Sequence, residues 1–220
     1  MINVIIYKIS QDEIMSIQKL VDALSVFFQD NTQGIVINEY SDEFLKATYW
    51  QKKRQKSYQY NYQKGDFDII EEEITNVANF DIELSDGKLL VFGNRILAQK
   101  IITILGVVSG NAYSITEFNI SIEKLIQKIC VDKEVALMKM KLSDITLEQG
   151  VLVNCTVNLL MQDNAKTLAL KYIQNITVIS FKLDNIEANI SIYKSGKISI
   201  GKVLDEEKDE VIKKIIHIVS

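Results

Sequence analysis

"FDIELSDGKLLVFGNRILAQKIITILG", residues 80–106, reads as an alternating strand, a glycine turn, a second alternating strand, another glycine and an amphipathic helix. Asp86-Gly87 marks the turn, because glycine reaches positive φ without a Cβ clash. Gly93 ends the outgoing strand, and Asn94 has the short polar side chain of an N-cap. The chain ends in the same way. "EANISIYKSGKISIGKVLDEEKDEVIKKIIHIV", residues 187–219, places Ser195-Gly196 at the turn and Gly201 at the strand end. Asp205 is the expected cap there, with Glu206 and Glu207 in the positive first turn of the helix. Gly87 and Gly196 are separated by half the chain, which points to an internal duplication.

Working outward, the front of each half begins with helical periodicity. Ile14, Ile17, Leu20, Val21, Leu24 and Phe28 recur at helical spacing, as do Ile122, Leu125, Ile126 and Ile129. β-rich stretches follow at 35–40, 44–52 and 56–63, and in the second half at 134–142, 151–160, 166–173 and 176–183. The expected fold is α+β. Two tandem helix–antiparallel-sheet–helix repeats, residues 1–110 and 111–220, would form one curved sheet with helices on one face and the other face open.

Composition bounds the remaining possibilities. The chain has 220 residues, is 47% hydrophobic and 25% charged, and carries a formal charge of −4. It can bury a core and is not of disordered type. No apolar run approaches the ~20 residues of a membrane helix, and the start "MINVIIYKIS" lacks a basic leader. A soluble, cytoplasmic protein is expected, with Cys130 and Cys155 as reduced thiols in apolar surroundings. Proline is absent, so loops must turn on Gly, Asn, Asp and Ser.

Residues 44–64, "FLKATYWQKKRQKSYQYNYQK", hold six Lys or Arg, four Tyr, one Trp and no acid. Alternation puts Lys46, Trp50, Lys52, Arg54 and Lys56 on one strand face, and Tyr58, Tyr60 and Tyr62 on one face of the next stretch. Two readings stand. On an open sheet face, Lys46, Lys52, Lys53, Arg54 and Lys56 would meet phosphates while Trp50, Tyr58, Tyr60 and Tyr62 stack or wedge. Alternatively, the tyrosines form the core face of an edge hairpin whose solvated loop is "QKKRQK", residues 51–56. The acidic run "DFDIIEEE", residues 66–73, suggests a carboxylate metal site less well than a solvated strand or turn that pairs with this basic stretch.

The hairpin-to-helix unit resembles the repeat of the TATA-box-binding-protein fold, in which a Ser-Gly-Lys type hairpin leads through a glycine into a long helix. "DGKLLVFG" (86–93) has that spacing, and "SGKISIG" (195–201) is one residue short. The opening "YKIS" strand before a helix is similar to that of RdgC, a ring-forming bacterial DNA-binding protein. Both resemblances imply non-catalytic DNA binding through a saddle or ring. No positions match the wedge aromatics by which the first family kinks DNA.

Catalytic patterns are missing. The single histidine, His217, sits near the end of the last helix, and there is no metal-ligand cluster, phosphate-binding glycine loop or nucleophile elbow. The sequence therefore predicts a non-enzymatic, cofactor-free protein that binds nucleic acid, DNA in preference to RNA. Two rivals remain. One is a protein-interaction subunit, with homo-oligomers possible, using the same Tyr/Trp-rich face. The other is a small-molecule pocket between helix and sheet.

Overall fold

The computed structural model describes residues 1–11, 15–27, 31–184 and 186–219. In chain order its elements are β1 (Ile2–Gln11), α1 (Ile17–Phe27), β2 (Gln33–Tyr40), β3 (Phe44–Asn61), β4 (Asp66–Glu83), β5 (Lys88–Phe92), α2 (Arg95–Val108) and β6 (Tyr113–Glu117). There follow α3 (Ile122–Val131), β7 (Val135–Glu148), β8 (Val151–Asn158), α4 (Ala165–Lys171), β9 (Ile176–Leu183), β10 (Ile186–Tyr193), β11 (Lys197–Ile200) and α5 (Lys208–Val219).

The expected pair of helix–sheet–helix repeats is not what forms. Among the described residues strand makes up 50% and helix 28%, with eleven strands in one antiparallel sheet and five α-helices. The hydrogen-bonded order is β2-β3-β4-β5-β1-β11-β10-β9-β7-β8, and β6 pairs β1. Three features overturn the repeat. Each half opens with a strand rather than a helix. The first half runs through consecutive neighbours β2 to β5, whereas β7 in the second lies between β8 and β9. The stretch 166–173, expected as a strand, is mostly α4, followed by a 3-10 turn at Ile173–Asn175. "AKTLALK" alternates weakly, but Ala, Leu and Lys are strong helix formers, and Ala165 and Ala169 bury one helical face.

The chain forms two compact units, Lys8–Thr116 and Met1–Tyr7 with Glu117–Ser220. In the Lys8–Thr116 unit, Leu45, Ala47 and Tyr49 of β3 stand in register with Ile82, Phe80 and Ala78 of β4. They form the buried sheet face together with Leu89 and Val91. Ile17, Leu20 and Leu24 of α1 and Leu97, Ile101, Ile104 and Leu105 of α2 complete that core. Asn94 caps α2 as expected, its Oδ1 accepting from Leu97 N at 2.9 Å. Ile14 and Phe28 lie outside the described residues.

In the other unit, Leu137, Met140 and Leu142 of β7, Ile179 and Phe181 of β9, Ile190 and Ile192 of β10 and Ile198 and Ile200 of β11 are buried. Ile122, Leu125, Ile126 and Ile129 of α3 and Val211, Ile212 and Ile215 of α5 supply its helical side. Burying one alternate set per strand leaves the other set free, and this positions the candidate site. The expected cap Asp205 instead begins a 3-10 turn, Asp205–Glu207, with Leu204 at its cap position. The side chain of Asp205 lies outside the description.

The two closing hairpins keep their local likeness. Gly87 and Gly196 have φ of 61° and 81°. Their carbonyls accept from β1, Ile9 N to Gly87 O at 2.9 Å and Ile6 N to Gly196 O at 3.1 Å.

Candidate nucleic-acid interface

The basic aromatic stretch is one strand rather than two. β3 pairs β4 without interruption from Phe44↔Glu83 to Asn61↔Asp66, and β2 reaches only as far as Gln51. From Lys53 onward β3 has no strand partner except β4 among the described residues, which gives a two-stranded ribbon ~30 Å long. The "QKKRQK" segment is therefore strand, and the turn is at 62–65. Asn61 Oδ1 accepts there from Gln63 N and Lys64 N at 3.0 and 3.2 Å, and Gly65 adopts φ 65°. Asp68 accepts from Asn61 Nδ2 at 2.7 Å and from Lys64 Nζ at 2.9 Å. These two bonds, Asn61 first, hold its carboxyl below the usual carboxylate range.

Antiparallel register decides what the cations can do. Facing residues share a side of the ribbon, and Gln55↔Glu72, Lys56↔Glu71 and Arg54↔Glu73 face each other. Lys52 pairs with Glu73 at 3.1 Å, Lys56 with Glu71 at 3.4 Å and Lys46 with Glu39 at 2.8 Å. Lys53 and Arg54 are exposed and make no ion pair among the described residues. Between 52 and 75 the chain carries five cations and five acids, so the ribbon is neutral. The acidic run 66–73 is thus the pairing partner of the basic stretch. Among the described residues no cluster of three or more His, Cys, Asp or Glu suits a metal ion.

The aromatic residues divide in two. Trp50 is half-buried on the face opposite the helices, where its indole lies over Gly34; a Cβ there would stand 2.7 Å from Trp50 Nε1. Tyr58, Tyr60 and Tyr62 lie at the far end of the ribbon with Phe67 and Ile69, all exposed. Tyr60 makes T-shaped contacts with Tyr62 and Phe67, with ring centroids 5.1 and 5.2 Å apart. These rings contact one another instead of a core.

A second set of cations, which sequence reasoning did not single out, lies on β7, β9 and β11. Register runs Asn158↔Lys139↔Ser180↔Ser191↔Ser199↔Asn3 across six strands, so these side chains share the face opposite the buried isoleucines. In the adjacent row, Thr156↔Lys141↔Val178↔Tyr193 is followed by Lys197↔Ile5. Lys182, facing Ala136, belongs to the same side. Ser180 and Ser191 join hydroxyls at 2.8 Å, and Lys197 Nζ stands 5.2 Å from the centre of the Tyr193 ring. Lys139, Lys141 and Lys182 are exposed and Lys197 half-exposed. Among the described residues none of the four has a carboxylate partner. Asn3 Oδ1, at the end of the serine row, is buried without a hydrogen bond. The sequence signal was the "KMK" alternation at 139–141, with Lys182 and Lys197 on strands that otherwise alternate apolar.

No protein-family model matches the chain, and no curated protein matches it. Among the described residues no helix is long and apolar enough to cross a membrane.

Proposed function

We propose that this protein is a non-catalytic binder of nucleic-acid backbone that uses the open sheet face bearing Lys139, Lys141, Lys182 and Lys197. The observation that carries this reading is four lysines that have no acid partner among the described residues, on a hydroxyl-lined face of a chain whose net charge is −4. Phosphates replace counterions at such ammonium groups, while Ser, Thr and Asn add hydrogen bonds that carry little base information. We place the protein's action in the cytoplasm, in keeping with two free half-buried thiols.

The test is fluorescence anisotropy with labelled DNA and RNA duplexes across a salt series. Four phosphate contacts give log K against log[salt] a slope of about −3.5 on duplex DNA. Lys139→Gln with Lys141→Gln should flatten it by about 2, while Lys52→Gln with Lys56→Gln should leave it almost unchanged, since those cations already have acid partners. An unmodified protein that binds neither duplex at low salt removes the proposal. Equal effects from the two double variants would return the role to the ribbon.

The ribbon end supports a second reading, docking to protein. Tyr58, Tyr60, Tyr62, Phe67 and Ile69 gather exposed apolar surface on a neutral shaft, and such clusters anchor protein interfaces. A second copy is the partner open to direct test. A concentration-dependent dimer in sedimentation equilibrium, lost on Tyr60→Ser with Phe67→Ser, supports it; a monomer at all concentrations excludes it.

A further inference from the structure

At the start of β2, Gln33, Tyr49 of β3, and Gln99, Lys100, Thr103 and Ile104 of α2 line a cleft of about 310 Å³. Gln33 faces Gln51 across the β2–β3 pair, Tyr49 Oη donates to Gln33 Oε1 at 3.1 Å, and Lys100 Nζ donates to Gln51 Oε1. Thr103 Oγ1 is bound back along its own helix to Gln99 O. Burial pushes the Tyr49 hydroxyl above the usual phenol range, so it stays a neutral donor.

The hydrogen-bond inventory of this cluster is unbalanced. Both glutamine carbonyl oxygens already accept, which turns their NH2 groups toward use as donors. Lys100 spends one of three N–H donors on a neutral amide, and among the described residues no carboxylate pairs with it. A half-buried ammonium and two amide NH2 groups thus stand near Ile104, and the described residues supply them no acceptor. What fits is an anion that accepts several hydrogen bonds and carries an apolar body. We propose that this cleft binds a small amphiphilic monocarboxylate, with its carboxylate on Lys100 and the Gln33 and Gln51 amides and its hydrocarbon along Ile104.

Isothermal titration calorimetry of the full chain with octanoate, octanol and octylamine tests this. Octanoate should bind at one site and octanol at least about tenfold more weakly, because the charge-assisted bonds are lost. Octylamine should not bind. Lys100→Gln should weaken octanoate about tenfold or more, and Lys100→Arg should retain most of its affinity, since the guanidinium also receives a carboxylate. Thermal unfolding of both variants near the unmodified midpoint confirms that folding is intact. Octanoate failing to bind, octanol binding equally well, or Lys100→Gln keeping full affinity would each overturn the assignment.

Discussion

Replacing Gly196 by alanine puts the geometry of the closing hairpin to a direct test. Gly196 occupies the β10–β11 turn at φ 81°, and an added Cβ would stand 2.3 Å from Phe118 O and 3.2 Å from Ile6 O. Both obstacles are backbone oxygens, so neither can rotate away as a side-chain tip would. Two costs combine. The left-handed conformation costs an L-residue ~1–2 kcal/mol, and the overpacked contact adds ~1–3 kcal/mol as Phe118 or the turn shifts. Restricting the unfolded chain returns ~0.4–1 kcal/mol. Gly196→Ala should therefore destabilise by roughly 2–4 kcal/mol.

Gly65 supplies the control. Its φ is 65°, yet nothing lies within 4 Å of the position a Cβ would take. Gly65→Ala meets only the conformational cost, about 1 kcal/mol or less after the unfolded-state offset. Gly87, with Ile9 O at 3.1 Å, should fall between them. Urea unfolding followed by far-ultraviolet circular dichroism would rank the midpoints Gly65→Ala above Gly87→Ala above Gly196→Ala. If Gly196→Ala unfolds at the same urea concentration as Gly65→Ala, the tight approach of Phe118 to the turn is wrong.

Phe80→Ala and Phe181→Ala each empty a fully buried core position and should cost ~3–5 kcal/mol, read as a lower thermal midpoint. Gly34→Ala should push the single tryptophan off its seat and shift Trp50 emission to longer wavelength, while Gly150→Ala, with open space around it, should leave the emission unchanged. The folded pKa of Asp68 is depressed, so its stabilising bonds at the ribbon turn are present above the unfolded value and lost as pH falls through the lowered one. An NMR titration should show that midpoint rising in Asn61→Ala, and an unmoved midpoint would deny Asn61 its leading part.

Local structure was legible where one short segment contained its own reasons. The hairpins around Gly87 and Gly196, the Asn94 cap and the apolar stripes of α1 and α3 depend on spacing and on residues within a few positions of each other. Strand order did not, because β7 lies between β8 and β9, a pairing that no local pattern specifies. α4 was read as strand because seven residues are too few to separate periods of 2 and 3.6. The length of β3 was hidden for a different reason. Beyond Lys52 both of its faces meet water, so no core-facing period marks where the strand continues.

The same reasoning explains why the sequence singled out the ribbon cations and passed over those on β7, β9 and β11. Lys56 and Lys141 both stand on strands among alternating neighbours, and nothing in their own segments tells them apart. Register does. Lys56 faces Glu71 and its charge is answered at 3.4 Å, whereas Lys141 lies between Val178 and Thr156, neither of which carries a charge. A cation whose cross-strand neighbour is an acid stabilises its own ribbon modestly and offers little to a phosphate. A cation between neutral neighbours keeps its counterions and can exchange them for a ligand. A dense run of basic residues in the sequence therefore measures only half of the charge on a sheet, the other half lying on whichever strands pair beside it. In this protein those strands neutralise the densest run, and among the described residues they leave four scattered lysines on β7, β9 and β11 without an acid partner.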